Sequence, residues 1–226
     1  MEPLKEKVRN LASKVPELSY FCNRCLETKR YGGNVILMVA DAAFVSIGIN
    51  YFNVVVPAVL RLRNLLEDYG IEKMADFLEL PEETLLSVWK NRRSWSVARE
   101  VMNYLSKLDI DDRKALRRWA ANSGLQSWRK DPIGSVRGVG INTYQYLRMM
   151  GGIDTVMPDK IVRRVLSSIV SDTGIEPPQD DIEFILWVEE LSKITGYRSI
   201  ELCWMTWFVQ YDEIKIEKYR KLMREI

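Results

Sequence analysis

Val35 to Ile49 is the most apolar stretch of the chain, fifteen residues interrupted by one charge, Asp41. It is too short to cross a bilayer, which takes about 20 apolar residues. It also lies too far from the first residue for a signal sequence. The remaining way to hide it is a helix over Val35–Ile47 that is apolar on nearly every side and buried on most of them. Such a helix must be wrapped by other elements. No segment alternates like a strand for long, and helical spacing dominates from end to end. The expected fold class is all-α.

The punctuation supports this. Glu2–Lys14 reads as an amphipathic helix stopped before Pro16, and Glu17–Tyr31 as a second, ended by Gly32-Gly33. Ser46-Ile47-Gly48-Ile49-Asn50-Tyr51 breaks the apolar run. Phe52–Tyr69 follows, with Pro57 marking a kink or a later start. Ile71–Leu78 and Pro81–Lys90 are short helices, the second with proline and two glutamates at its front. Trp95–Leu108 and the helix opened by Asp111-Asp112 come next. Past the stretch 133–166, Pro177-Pro178 marks a linker. Helices then cover Asp181–Ile194, Arg198–Tyr211 and Asp212–Ile226. In Arg198–Tyr211 the stripe of Trp204, Trp207 and Phe208 reads as core.

At 226 residues the chain can build one or two domains with real cores. Its net charge of +2 neither demands nor excludes nucleic acid. Arg113, Lys114, Arg117 and Arg118 form a basic face that reads first as a solvated helix surface, and second as a surface that steers DNA. The chain contains no histidine, which excludes histidine-based nucleophilic triads and histidine-ligated zinc. Acid–base work falls to carboxylates, lysines, tyrosines or cysteines. Cys22-Asn23-Arg24-Cys25 has metal-ligand spacing, but only Cys203 could add a third thiolate, and reduced cysteines on a partly buried helix are the plainer reading. No metal and no cofactor is expected. The chain reads as intracellular.

Ile133–Leu166 carries the chemistry. Gly138-Val139-Gly140 is a turn stripped of side chains, followed by a helix from Ile141. Backbone N–H groups at such a helix start favour an anion, and a nucleic-acid phosphate suits so flat a contact. Ile133–Val136 reads as a short helix before the turn, and Ile141–Met150 as the helix after it. Met157-Pro158-Asp159 then opens another helix, Asp159–Ser171.

Val136-Arg137-Gly138-Val139-Gly140-Ile141-Asn142-Thr143 resembles the hairpin of the helix-hairpin-helix DNA glycosylases, written L-P-G-V-G-x-K-T-A. Asp159 follows Asn142 by 17 positions (159 − 142), close to that family's spacing between hairpin and catalytic aspartate. Pro158-Asp159 and Val162-Arg163-Arg164-Val165 also match the aspartate-bearing helix. The close match spans about Ile133–Leu166, and a looser one in helix layout spans about Asn34–Leu108. The family's four-cysteine iron–sulfur cluster, carried by endonuclease III-like members, has no counterpart here.

The resemblance implies two helical lobes with the helix-hairpin-helix at the cleft between them. One lobe would be 34–150, and the other 1–33 with 151–226, carrying Asp159. It implies a monomeric base-excision-repair glycosylase acting on double-stranded DNA that holds a damaged or mismatched base. Arg137, Gly138, Val139, Gly140, Asn142 and Thr143 would hold the strand. Gly48, Ile49, Asn50 and Tyr51 would wedge into the space of the flipped base; an ordinary helix–helix turn with a packed tyrosine is the alternative. Asp159 would stabilise positive charge on the sugar as the glycosidic bond breaks, or would simply cap its helix, and both can hold together. Asn142 stands where bifunctional members carry the lysine that attacks the sugar, so base removal by water is expected, with the abasic site left intact. Tyr31, Phe44, Tyr51, Trp128 and Tyr144 could offer stacking faces or be core. The alternative function is a non-catalytic helix-hairpin-helix protein that recognises DNA backbone or abasic sites.

Overall fold

The computed structural model describes residues 2–45 and 48–226, and within them the chain is helical with no strand. Ser46 and Ile47, expected to end the apolar helix, lie outside the described residues. The chain divides into two compact units, 27–153 and 1–26 with 154–226.

The split unit begins with α1 (Glu2–Ala12) and α2 (Leu18–Leu26). The second helix is shorter than its apolar spacing suggests. Thr28 and Tyr31 take positive φ of 56° and 51°, which ends regular helix and turns Arg30 and Tyr31 inward. Both residues lie in the other unit, whereas the sequence grouped 27–33 with the first helices.

The continuous unit is built round α3 (Val35–Val45), of which Val35 to Phe44 are all buried. A single π-helical turn, Tyr51–Val55, precedes α4 (Val56–Asp68), so Pro57 sits in the first turn, where its missing N–H costs nothing. Then come α5 (Met74–Leu78), α6 (Glu82–Val88), α7 (Arg92–Leu105), α8 (Asp112–Asn122) and α9 (Ile141–Met150). Packing round α3 is aromatic at one end: Phe44 stacks on Trp89 at 4.6 Å and meets Trp95 edge-on at 4.9 Å.

Asp41 is the polar exception in that core. It is fully buried, and its Oδ2 accepts from Arg30 at 3.2 Å, Tyr31 at 2.9 Å, Tyr51 at 3.1 Å and Tyr146 at 2.7 Å. Burial pushes the carboxyl upward, while the guanidinium and the hydroxyls pull it back. Four donors on one oxygen, one of them cationic, favour its charged form against that burial. The cluster ties the turn at Arg30–Gly33, α3, the π-helical turn and α9 to one atom, which fixes the helix that leaves the hairpin.

The chain then returns to the split unit with α10 (Lys160–Val170), α11 (Asp181–Thr195), α12 (Ser199–Val209) and α13 (Glu213–Arg224). In α12, Ile200 to Phe208 lack only Glu201 from an unbroken buried run, so this helix is the centre of its unit, and the Trp204, Trp207 and Phe208 stripe is core. Phe208 stacks on Phe21 of α2, and Glu17 binds Arg220 and Arg224 of α13 at 2.6 Å each.

Candidate functional site

The hairpin starts with a cap rather than a helix. Asp131 Oδ1 accepts from the backbone N–H of Ile133 at 2.9 Å and from the Trp119 indole at 3.0 Å. Residues 132–138 form consecutive turns, with Val136 N–H on the Ile133 carbonyl and Val139 N–H on the Val136 carbonyl. The short helix expected over Ile133–Val136 is therefore not a regular one. Asp131, Gly134 and Gly138 favour tight turns over helix.

The two glycines flanking Val139 do different things. Gly138 has φ +107°, and a Cβ there would stand 2.9 Å from Val97 Cγ2 and 3.2 Å from Arg93 Nε. It is needed both for its backbone angle and for the close approach of α7. Gly140 has an ordinary φ of −100°, and a Cβ there would meet nothing within 4 Å. It is exposed, so its missing side chain leaves bare backbone at the mouth of α9. Where α7, α8, α10, α11 and α13 each begin with an Asn or Asp side chain on a first-turn N–H, α9 has no side-chain cap. Its leading N–H groups are left for an outside acceptor.

The side chains sort by burial. Arg137 is exposed, and the exposed Arg93 guanidinium lies against Gly138. The nearness of Arg93 to the hairpin comes from α7 packing, which periodicity does not reveal. Thr143 is 1 % exposed, so it is packed inside rather than presented at the surface. Asn142 is half-buried, and its Oδ1 is sealed from solvent without a partner among the described residues. On α8, Arg113 donates to the Glu27 carbonyl, Arg117 to Thr28 Oγ1 and Arg118 to the Leu108 carbonyl, so that face serves the fold.

In the expected wedge loop, Gly48 and Asn50 are exposed and Ile49 half-buried. Asn50 Oδ1 accepts from the Asn53 N–H at 3.0 Å, which starts the π-helical turn. Tyr51 is not available: it is buried, with its hydroxyl in the Asp41 cluster. Among the expected stacking faces, Tyr31, Phe44, Tyr51 and Tyr144 are buried as core, and Trp128 is half-exposed beneath Arg129.

Asp159 belongs to the split unit. It follows a buried extended run, Thr155–Pro158, and is the N-cap of α10. Its Oδ1 accepts from the N–H groups of Ile161 at 2.7 Å and Val162 at 2.9 Å. Its Oδ2 accepts from the Trp207 indole at 2.9 Å. Burial raises the carboxyl above its ordinary 3.8, and the three hydrogen bonds pull it back in part. Desolvation and hydrogen bonding thus act on this carboxyl in opposite senses. Trp207 is the second residue the sequence reading did not connect to the site, because an aromatic on an apolar helix looks like any other core residue.

Cys22, Cys25 and Cys203 are buried and form no disulfide, and burial pushes the Cys22 and Cys203 thiols up. Among the described residues no group of three or more acidic or cysteine side chains could share a metal ion, and no helix is long and apolar enough to cross a membrane. No family pattern, curated protein or solved structure matches the chain.

Proposed function

We propose that the protein is a monofunctional DNA glycosylase that hydrolyses the N-glycosidic bond of a damaged or mismatched base flipped out of duplex DNA. The observation that carries this reading is the half-buried, hydrogen-bonded Asp159 carboxylate at the spacing from a capless Gly-Val-Gly hairpin that the helix-hairpin-helix glycosylases show. In this reading the two helical units are lobes, and the hairpin lies at a cleft between them.

A base inside a duplex is out of reach of catalytic groups, so the nucleotide must swing out of the stack. The hairpin serves that step by holding the strand through the bare backbone of Gly138–Gly140 and the first N–H groups of α9, with Arg137 and Arg93 adding charge. Ile49, the one bulky apolar side chain among the available loop residues, fills the vacated space. As the C1′–N bond lengthens, the sugar becomes positive and the leaving base takes the electron pair. The Asp159 carboxylate faces that charge and takes a proton from the attacking water. Asn142 offers no amine, so no imine with the sugar forms.

The reading is tested by incubating the protein with duplexes that each carry one damaged or mismatched base and then adding alkali. Strand breaks after alkali, none before it, and no borohydride-trapped covalent complex are expected. Trapping would overturn the monofunctional assignment. Duplex binding without alkali-sensitive sites on any substrate would leave the binding-only alternative, which a capless hairpin alone can support.

A further inference from the structure

The run from Asp154 to Asp159 is tied to α12 at both of its ends. Asp154 Oδ1 accepts from the Ile200 N–H at 2.9 Å, at the start of the helix. The Trp207 indole donates to Asp159 Oδ2 at 2.9 Å. Residues 200 and 207 are spaced i and i+7, two turns apart along one side of the helix. One apolar helix thus acts as the template against which the aspartate is set.

We propose that Trp207 is the positioning residue of Asp159: its indole N–H fixes the rotation of the carboxylate and keeps it ionised at the pH of the reaction. This rests on the glycosylase reading for what the carboxylate is positioned to do. The argument is geometric. Oδ1 is occupied by two backbone N–H groups of α10, so the carboxylate plane is already hinged on one side. The Trp207 bond holds the other oxygen and prevents the two from exchanging. An anionic oxygen that accepts one indole N–H retains lone-pair capacity for an outside group. Trp207 is itself 6 % exposed, so the donor is held by the core and cannot swing away to solvent.

Among the described residues the hydrogen bonds to its carboxylate come from Ile161, Val162 and Trp207, none of them a cation. From α12 the one other titratable group that feels it is the Cys203 thiol. On its own helix, Lys160 is exposed, and Arg163 is directed to the Pro158 and Pro178 carbonyls and to Asp181. With burial raising the carboxyl and only hydrogen bonds opposing it, each donor counts.

Trp207→Phe keeps an aromatic ring and deletes the donor. A second form with β-(3-benzothienyl)alanine at position 207 replaces the N–H by sulfur at nearly constant shape, and covers the case in which phenylalanine leaves a cavity. The Asp159 carboxyl is followed in the free protein by carbon-13 NMR titration, with its resonance assigned by its loss in Asp159→Asn. Single-turnover base release is followed against pH in parallel. Both altered proteins are expected to titrate roughly one pH unit higher at Asp159, with the acid limb of the rate moving by the same amount and duplex affinity unchanged. An unmoved Asp159 titration in a folded altered protein overturns the proposal, as does an unmoved acid limb beside an active parent. A moved titration with no base release from the parent protein supports the Trp207–Asp159 coupling and rejects the glycosylase reading.

Discussion

At the scale of single residues, the hairpin glycines make the sharpest distinction. Gly138→Ala forces a side chain into φ +107° and against Val97, and should cost about 1–3 kcal/mol of stability in denaturant unfolding. Gly140→Ala meets open space at an ordinary backbone angle and should stay within about 0.5 kcal/mol of the parent. Its added methyl nevertheless stands where a phosphate would approach, so fluorescence anisotropy on a short duplex should show weaker binding. Equal duplex affinity for Gly140→Ala and the parent would remove the hairpin from the interface. Asp159 has its own pH signature. Its folded-state pKa lies above the ordinary value of 3.8, so the folded protein holds that proton more tightly than the unfolded chain. The stability it contributes is complete below that value and falls as pH rises through the folded-state pKa. The stability of the parent relative to Asp159→Asn should therefore decline as pH rises above the ordinary carboxyl value, as chemical denaturation at several pH values will show.

At the scale of elements, the Asp41 cluster holds the continuous unit together. It joins four segments through one carboxylate oxygen, and its cation, Arg30, is itself 1 % exposed. Asp41→Asn removes the negative charge and leaves that guanidinium buried without a counter-ion, a change that costs roughly 3–5 kcal/mol where it has been made in other cores. Urea unfolding should show a loss of that order, and a loss below about 1 kcal/mol would mean that the cluster is solvated. The sequence placed Asp41 in a buried helix but could not show its partners. Arg30, Tyr31, Tyr51 and Tyr146 are scattered through more than a hundred residues, and only the fold brings their polar ends to one point. Tyr51 shows the cost of reading locally: in a loop next to Gly48 it looks exposed, yet its ring faces inward because its hydroxyl completes that cluster.

At the scale of the whole molecule, the all-helical class was legible because helical periodicity and breakers repeat along the entire chain. Helix starts were legible where an Asp or Asn precedes an apolar run, as at Asp159, Asp180 and Asp212, since the cap is a local interaction. Helix ends set by tertiary pull were not, as the inward turn at Thr28–Tyr31 shows. The candidate site divides the same way. The hairpin and the aspartate are each visible as residue types at a spacing, whereas Arg93 meets the hairpin, and Trp207 the aspartate, only through packing.

The account turns on the charge of Asp159, and Asp159→Asn isolates it. Asparagine caps a helix as well as aspartate does, so α10 should keep its start. The single amide oxygen can serve the α10 N–H groups or Trp207 but not both, a loss of about 1 kcal/mol in stability. The decisive measurement is the single-turnover rate of base release by this variant and its parent on the duplex that the parent attacks fastest. A fall of roughly 10²–10³-fold or more, with duplex binding retained, is the expected result. Release by Asp159→Asn within a few-fold of the parent would contradict the account and leave Asp159 as nothing more than the first cap of its helix.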